Sequence, residues 1–319
     1  MRAVWLTRFG GPEVLVAGDA PDPRPGPGQV VVAVAYANTT FVETTIRAGR
    51  FGSLTADDLP VIPGNGVGGV VAEAGAGVDP GLVGRRVVTS TGGSGAYAER
   101  VAVDAGAVFA VPDGLAMDDA VALLADGRTA KLLIAQAAPK PDERVVVEAA
   151  AGGVGSLLVQ LARAAGARVV AAAGGARKLA VARDLGADAV VDYREPGWAD
   201  GVRAGGPADV VFDGVGGEIG RAAFELLRPG GRMVRYGLAS GAWAEITEDD
   251  AAARGVRLLG MGATPEEMRA FTEEALGDGA AGLLRPTIGQ RFPLAGAAAA
   301  HTAIESRATV GKTLLEVAP

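Results

Sequence analysis

Ala150, Gly152 and Gly155 sit in the stretch "EAAAGGVGSLL", residues 148–158. Small residues at that spacing could do one kind of chemistry well. The first permits a tight turn, the second lets backbone N–H groups approach a pyrophosphate, and the third lets a helix pack close to a strand. The setting fits: a valine run, "RVVVE" (144–148), leads in, and a helix-period run, "SLLVQLARAAGA" (156–167), leads out. The tight strand–helix turn without a ligand is the competing reading. The next strand end, "VVAAAGGARKLA" (169–180), bears on which nucleotide would fit. It lacks the acid that binds ribose hydroxyls in NAD sites, and Arg177 and Lys178 follow at once. Cations there suit a 2′-phosphate, so NADPH is favoured over NADH. A solvated first helical turn is the plain alternative for Arg177 and Lys178.

The elements that must position this turn are legible as patterns. Across residues 1–110, valine-rich segments (29–37, 69–75, 85–90, 97–103 and 108–112) are separated by Gly and Pro, which reads as a β-rich, barrel-like module. From Met117 the pattern changes. A helical stretch over 117–138 with acids in its first turn is followed by strands at 144–149, 168–172, 189–192, 208–213, 231–236 and 256–260. Helices at 155–165, 176–185, 217–227 and 264–277 alternate with them, which implies a parallel sheet covered on both faces. The tail offers a strand, a helix and a last strand that return to the first module. The expected boundaries are 1–117, 118–262 and 263–319.

Composition narrows the function. The chain has 319 residues, a net charge of −7 with dispersed cations, no cysteine and one histidine. A nucleic-acid footprint is not expected. Disulfides and thiolate chemistry are excluded. No apolar run reaches the ~18–20 residues needed to span a bilayer. The opening "MRAVWLTRFGG" reads as strand rather than signal peptide, so the expected location is cytoplasmic.

Several stretches resemble the zinc-independent medium-chain dehydrogenases/reductases, in particular the quinone oxidoreductases that include zeta-crystallin. They are "FGGPEVL" (9–15), "FVETTIRAGRF" (41–51), "GAYAER" (95–100), "AAAGGVG" (149–155), "LGADAVVDYRE" (185–195), "RPGGRMVRYGLASG" (228–241) and "AHTAIESRATVGKTLLEV" (300–317). The resemblance implies an α/β fold: a Rossmann doubly wound parallel sheet that binds NADPH, plus a β-rich GroES-like substrate domain completed by the tail. It also implies a homodimer. By position, Gly152, Gly153 and Val154 would follow the pyrophosphate. Gly174, Lys178, Tyr193 and Arg307 would surround the 2′-phosphate. Thr129, Gly237 and Ser240 would meet the nicotinamide end, and Thr40 and Thr45 would border the substrate. Relatives often carry Asn, Asp and Tyr at the positions of Thr40, Glu43 and Thr45, so the pocket here is smaller and less aromatic.

Zinc members of the superfamily use Cys and His ligands. Here Asn65 and Gly66 stand at the His–Glu position, and His301, alone in a helical "AAAAHTAIES", reads as a packed or capping residue. A catalytic zinc needs three good protein ligands, so no metal is expected. Without a Lewis acid, hydride transfer from NADPH to a quinone is the preferred reaction, because a quinone's oxygens take protons from solvent. Reduction of an α,β-unsaturated carbonyl, which needs a placed acid, is the alternative. A non-catalytic NADPH- or RNA-binding role is more remote. No membrane or nucleic-acid partner is expected.

Overall fold

Short valine-rich segments punctuated by Gly and Pro build the first part of the chain. The structure, a computed structural model, describes residues 1–52 and 54–317. An antiparallel pair, β1 (Arg2–Leu6) and β2 (Leu15–Asp19), opens it. β3 (Gln29–Thr39) follows, with Val30, Val31 and Val32 fully buried, so the strand is covered on both faces. A capping box then starts α1 (Phe41–Arg47): Glu43 N donates to Thr40 Oγ1 (3.3 Å) and Thr40 N to Glu43 Oε2 (2.7 Å). β4 (Gly66–Ala74), β5 (Arg86–Ser90), β6 (Arg100–Asp104) and β7 (Val108–Ala110) complete this run. The glycine-rich start of β4 has a steric cause. A Cβ on Gly69 would lie 1.9 Å from the Ala33 carbonyl oxygen of β3.

From α2 (Met117–Ala137) onward, strands and helices alternate. The order is β8 (Arg144–Glu148), α3 (Gly153–Ala164), β9 (Arg168–Ala173), α4 (Ala176–Asp184), β10 (Ala189–Asp192), α5 (Trp198–Ala204) and β11 (Ala208–Asp213). Then come α6 (Gly217–Phe224), β12 (Leu227–Arg235), α7 (Glu248–Arg254), β13 (Arg257–Leu259) and α8 (Pro265–Ala280). The six strands are parallel, in the order β10-β9-β8-β11-β12-β13. This is the doubly wound arrangement, and its order reverses between β8 and β11. Val145, Val146 and Val147 of β8 are fully buried, as a strand covered on both faces requires.

The tail supplies β14 (Ile288–Pro293), α9 (Ala297–Glu305) and β15 (Lys312–Glu316). β15 runs antiparallel to β3, and β14 lies parallel to β15, within a seven-stranded sheet ordered β14-β15-β3-β4-β5-β7, with β6 also on β3. Two compact units result: Met1–Ala125 with the segment from Ala275, and Asp126–Glu274.

Some elements differ from the sequence expectation. α1, α5 and α7 have seven residues each, too short for a 3.6-residue period to stand out. The strand expected to start at 231 starts at Leu227: register passes from Ala208↔Leu227 to Val210↔Arg232, so "RPGG" bulges within the strand instead of preceding it. β6 begins at Arg100, three residues late, because Ala98 bridges Ala3 of β1 instead.

Arg307 ends α9 in the left-handed conformation (φ 57°), a place glycine usually fills. Its N–H bonds Ile304 O (3.0 Å) and the next N–H, of Ala308, bonds Ala303 O (3.3 Å). Arg307→Gly should therefore raise folding stability by about 1 kcal/mol, seen as a higher urea midpoint with an unchanged slope.

Candidate active site

The glycine turn is built by close approach. Gly155, in the first turn of α3, leaves no room for a side chain: its Cβ would be 2.2 Å from Ala149 O. Ala149 itself is left-handed (φ 48°), and Gly152 N donates to its carbonyl (2.7 Å). Leu157, Leu158 and Val159 are buried behind the turn, each worth about 2 kcal/mol. Gly152 is the N-cap and offers no side chain to the first N–H groups of α3, so Gly153 and Val154 present backbone donors at a helix N-terminus. One group bears on an anion there. A Cβ on Gly153 would be 2.0 Å from Asp126 Oδ2, so this carboxylate of α2 lies against the turn. Thr129 lies one turn further along α2, half-buried.

The end of β9 forms a second corner. Gly175 is left-handed (φ 94°) and caps α4 without a side-chain bond. Lys178, half-buried, and exposed Arg177 occupy the first turn. Tyr193 and Arg194 close the other side: a Cβ on Gly174 would be 3.2 Å from both Tyr193 Cε2 and Arg194 Cδ. Arg194 was not singled out by sequence. It forks onto Asp192 (Nη2–Oδ2 2.7 Å, Nε–Oδ1 3.0 Å), and Gly175 N donates to Asp192 Oδ2 (2.9 Å). The Arg194 hydrogen bonds hold the Asp192 carboxyl down at about 2. This acid is thus matched by a cation. The clue lay in "DYRE", an aspartate-led turn after β10: Arg194 N donates to Asp192 Oδ1 (3.0 Å) and Glu195 N to Asp192 O (3.1 Å), which folds Arg194 back onto the acid.

A third loop approaches the ends of β8 and β11. Tyr236 N and Gly237 N donate to Asp213 O (2.9 and 3.2 Å), and Ser240 N donates to Val215 O (2.8 Å). Exposed Ser240 spends its hydroxyl on Ala242 O (2.9 Å). A Cβ on Gly237 would be 2.6 Å from Gly214 O, so this position also depends on glycine.

Thr40 and Thr45 belong to the other unit, at α1. Thr45 Oγ1 donates to Val42 O (2.7 Å), so its proton is committed within its own helix. Beneath α1 lies a buried polar chain. Tyr97 OH is 3.0 Å from His301 Nε2 and 3.2 Å from Glu43 Oε2, and Glu43 Oε1 accepts from Asn65 N (2.9 Å). A hydroxyl has one proton, so the consistent directions are His301 Nε2–H to Tyr97 and Tyr97 O–H to Glu43. Burial, then the nearby charge of Arg47, lowers His301 to about 3, so it is neutral at pH 7. Arg47 in turn pairs with Glu305. Arg307, exposed, lies just past α9 in the same unit.

Comparison with known proteins decides the family. Residues 26–113 match the family described as alcohol dehydrogenase GroES-like domain, and residues 153–276 the zinc-binding dehydrogenase family. The chain is 34% identical to a 2-haloacrylate reductase of Burkholderia, over 98% of both chains. It is 32% identical to a quinone oxidoreductase of Pseudomonas aeruginosa, over 98% of this chain and 99% of the relative. The crystal structure of Escherichia coli quinone oxidoreductase complexed with NADPH superposes with a TM-score of 0.91 at 29% identity, over 99% of this chain and all of the other. The chain belongs to the quinone oxidoreductase family of medium-chain dehydrogenases/reductases.

As a member of that family the protein is an oxidoreductase. Although one family description mentions zinc, the donors here do not suit that ion. There is no cysteine, and the single histidine is fully buried against Tyr97. Asn65 Oδ1 takes bonds from Ser90 Oγ (2.8 Å) and Gly93 N (2.7 Å), and a Cβ on Gly66 would be 2.3 Å from Asn38 Nδ2. Among the described residues, no three His, Asp or Glu side chains gather as a metal site.

Neutral, buried His301 makes acid stability this family member's weak point. Between about pH 6.5 and its folded value the unfolded chain takes up a proton that the folded one refuses, so stability falls as pH drops, by up to about 1.4 kcal/mol per unit. Denaturant unfolding across that range should show the slope, and His301→Gln should flatten it.

Proposed function

We propose that this protein reduces quinones with NADPH, without a metal ion. The observation that carries the reading is the pairing of an uncapped α3 N-terminus with a β9 corner where cations outnumber acids. Bound NADPH supplies a hydride. The N–H groups of Gly153 and Val154 hold the pyrophosphate, with Gly152 as the side-chain-free cap that lets it approach, and Lys178, with Tyr193 and Arg194, holds the 2′-phosphate against Gly174. Arg307 is a further phosphate ligand on the family pattern. Thr129, Gly237 and Ser240 steady the nicotinamide end. Thr40 and Thr45 line the acceptor side. Because the Thr45 proton is held by Val42 O, it does not serve as a general acid. An acceptor whose oxygens take protons from water suits such a site. The reading carries a small-molecule substrate, a homodimer and a cytoplasmic location. No helix among the described residues is long and apolar enough to cross a membrane.

One observation favours a second acceptor class. The similarity to a 2-haloacrylate reductase supports reduction of an activated alkene at the same site. Single-turnover oxidation of NADPH with a simple benzoquinone and with a 2-haloacrylate separates the two. Faster turnover of the quinone is expected, and turnover of the alkene alone would reverse the order.

Substitutions test the cofactor site. Lys178→Ala should weaken NADPH about tenfold and leave NADH nearly unchanged. Arg194→Ala should do the same and more, since it also leaves the Asp192 charge unbalanced. Asp126→Asn should tighten both coenzymes a few-fold by removing a like charge from the pyrophosphate turn. Fluorescence titration reads all three. Equal losses for NADPH and NADH in Lys178→Ala would remove the phosphate assignment.

A further inference from the structure

The two central strands of the parallel sheet, β8 ("RVVVE") and β11 ("ADVVFD"), both end in an acid. They are neighbours, and their register runs Val145↔Val210, Val146↔Val211, Val147↔Phe212, so the next residues in line are Glu148 and Asp213. Both are fully buried. Asp213 Oδ1 accepts from Val215 N (3.0 Å) and Gly216 N (2.6 Å). Asp213 Oδ2 and both carboxyl oxygens of Glu148 have no partner at hydrogen-bond geometry, although the Val215 N–H that bonds Asp213 Oδ1 also lies near the Glu148 carboxyl. Tyr236 past β12 lies near both carboxyls, with Tyr193 and Asp126 also close to its ring, and Arg235 of β12 is the register partner of Asp213. Tyr236 spends its proton on the Glu148 backbone carbonyl (3.0 Å).

Two adjacent, fully buried carboxylates, three of whose four oxygens lack a hydrogen-bond partner, cannot both be ionised in a stable fold. A shared proton resolves this, as in other carboxyl pairs. We infer that Glu148 carries a proton at neutral pH and donates it to Asp213, and that this bond positions the two loops proposed to hold the cofactor. Burial, followed by the charge of Asp213 and the hydrogen bond to it, pushes the Glu148 carboxyl well above the usual carboxylate range. Glu148 leads directly into left-handed Ala149 and the glycine turn. Asp213 ties the 213–216 turn, which in turn holds Tyr236, Gly237 and Ser240 by backbone bonds. The pair therefore clamps both loops at the point where the strand order reverses. Glu148 and Asp213 are positioning residues, and their role toward NADPH rests on the proposed function above.

Sign and window follow from the raised value. Above about pH 4.3 the unfolded chain has lost the Glu148 proton that the folded chain keeps, so this contribution to stability declines as pH rises toward the folded value. Glu148→Gln keeps an N–H donor toward Asp213 and does not titrate. Infrared spectra of the purified protein at neutral pH should contain a protonated carboxylic acid carbonyl band that is absent in Glu148→Gln. In Asp213→Asn the band should persist but shift, because burial, the larger cause of the raised value, remains while the acceptor changes. The melting temperature of Glu148→Gln should gain on the wild type between about pH 5 and pH 8. Glu148→Ala should weaken NADPH about tenfold, with most of the loss rescued in Glu148→Gln. A wild-type spectrum without the band, a melting difference that does not change with pH, or equal losses in Ala and Gln would overturn the inference. Should the wild type bind no NADPH, the cofactor assignment fails, while the band and the melting difference still judge the pair.

Discussion

The site depends on how closely the first turn of α3 approaches the end of β8. Gly155 sits where any Cβ would run into Ala149 O, and that contact sets the direction of the helix axis over the strand end. With Gly152 as a cap that has no side chain, the first N–H groups of α3 remain available to an anion. Bulk at Gly155 would push the helix away and lose the donors together with the packing of Leu157 and Leu158. The glycine turn is a packing feature, and the anion binding proposed for it depends on the same contact.

Charge is arranged around that turn with little waste. Asp192 at the β9 corner is paired with Arg194, so the acid there does not stand as an unbalanced charge. Asp213 is held among backbone N–H groups, and Glu148 stands beside it. In the other unit, neutral His301, Tyr97 and Glu43 form a chain that fixes the start of α1 through the Thr40 cap and Asn65. Buried polar atoms without a hydrogen-bond partner include both Glu148 carboxyl oxygens, Asp213 Oδ2 and His301 Nδ1. The Asp126 carboxylate lies against the glycine turn, and in the proposed site it would oppose a pyrophosphate.

Local patterns carried much of this into the sequence. The valine runs, the strand–helix alternation and the glycine spacing each depend on neighbours a few residues apart, and the doubly wound sheet was legible from them. The short helices α1, α5 and α7 were not, because seven residues cover only two turns. The early start of β12, at Leu227 and not at 231, was not legible because it rests on pairing with Ala208 of β11. Arg194 escaped notice for a similar reason, since its meaning lies in Gly174 and Gly175, some twenty residues earlier. The Tyr97–His301 bond joins residues 204 apart, which no spacing rule reaches. The acids that end β8 and β11 were visible, but their adjacency is a property of strand order, known only once the sheet is built.

The most direct test of the phosphate-reading corner needs no substitution. Titration of the purified protein with NADPH and with NADH, followed by the change in nucleotide fluorescence at fixed salt, compares two ligands that differ only at the 2′ position. NADPH should bind at least about tenfold more tightly, the worth of one charge-assisted contact. Equal affinities, or tighter NADH, would contradict the assignment of Lys178 and Arg194 to a 2′-phosphate.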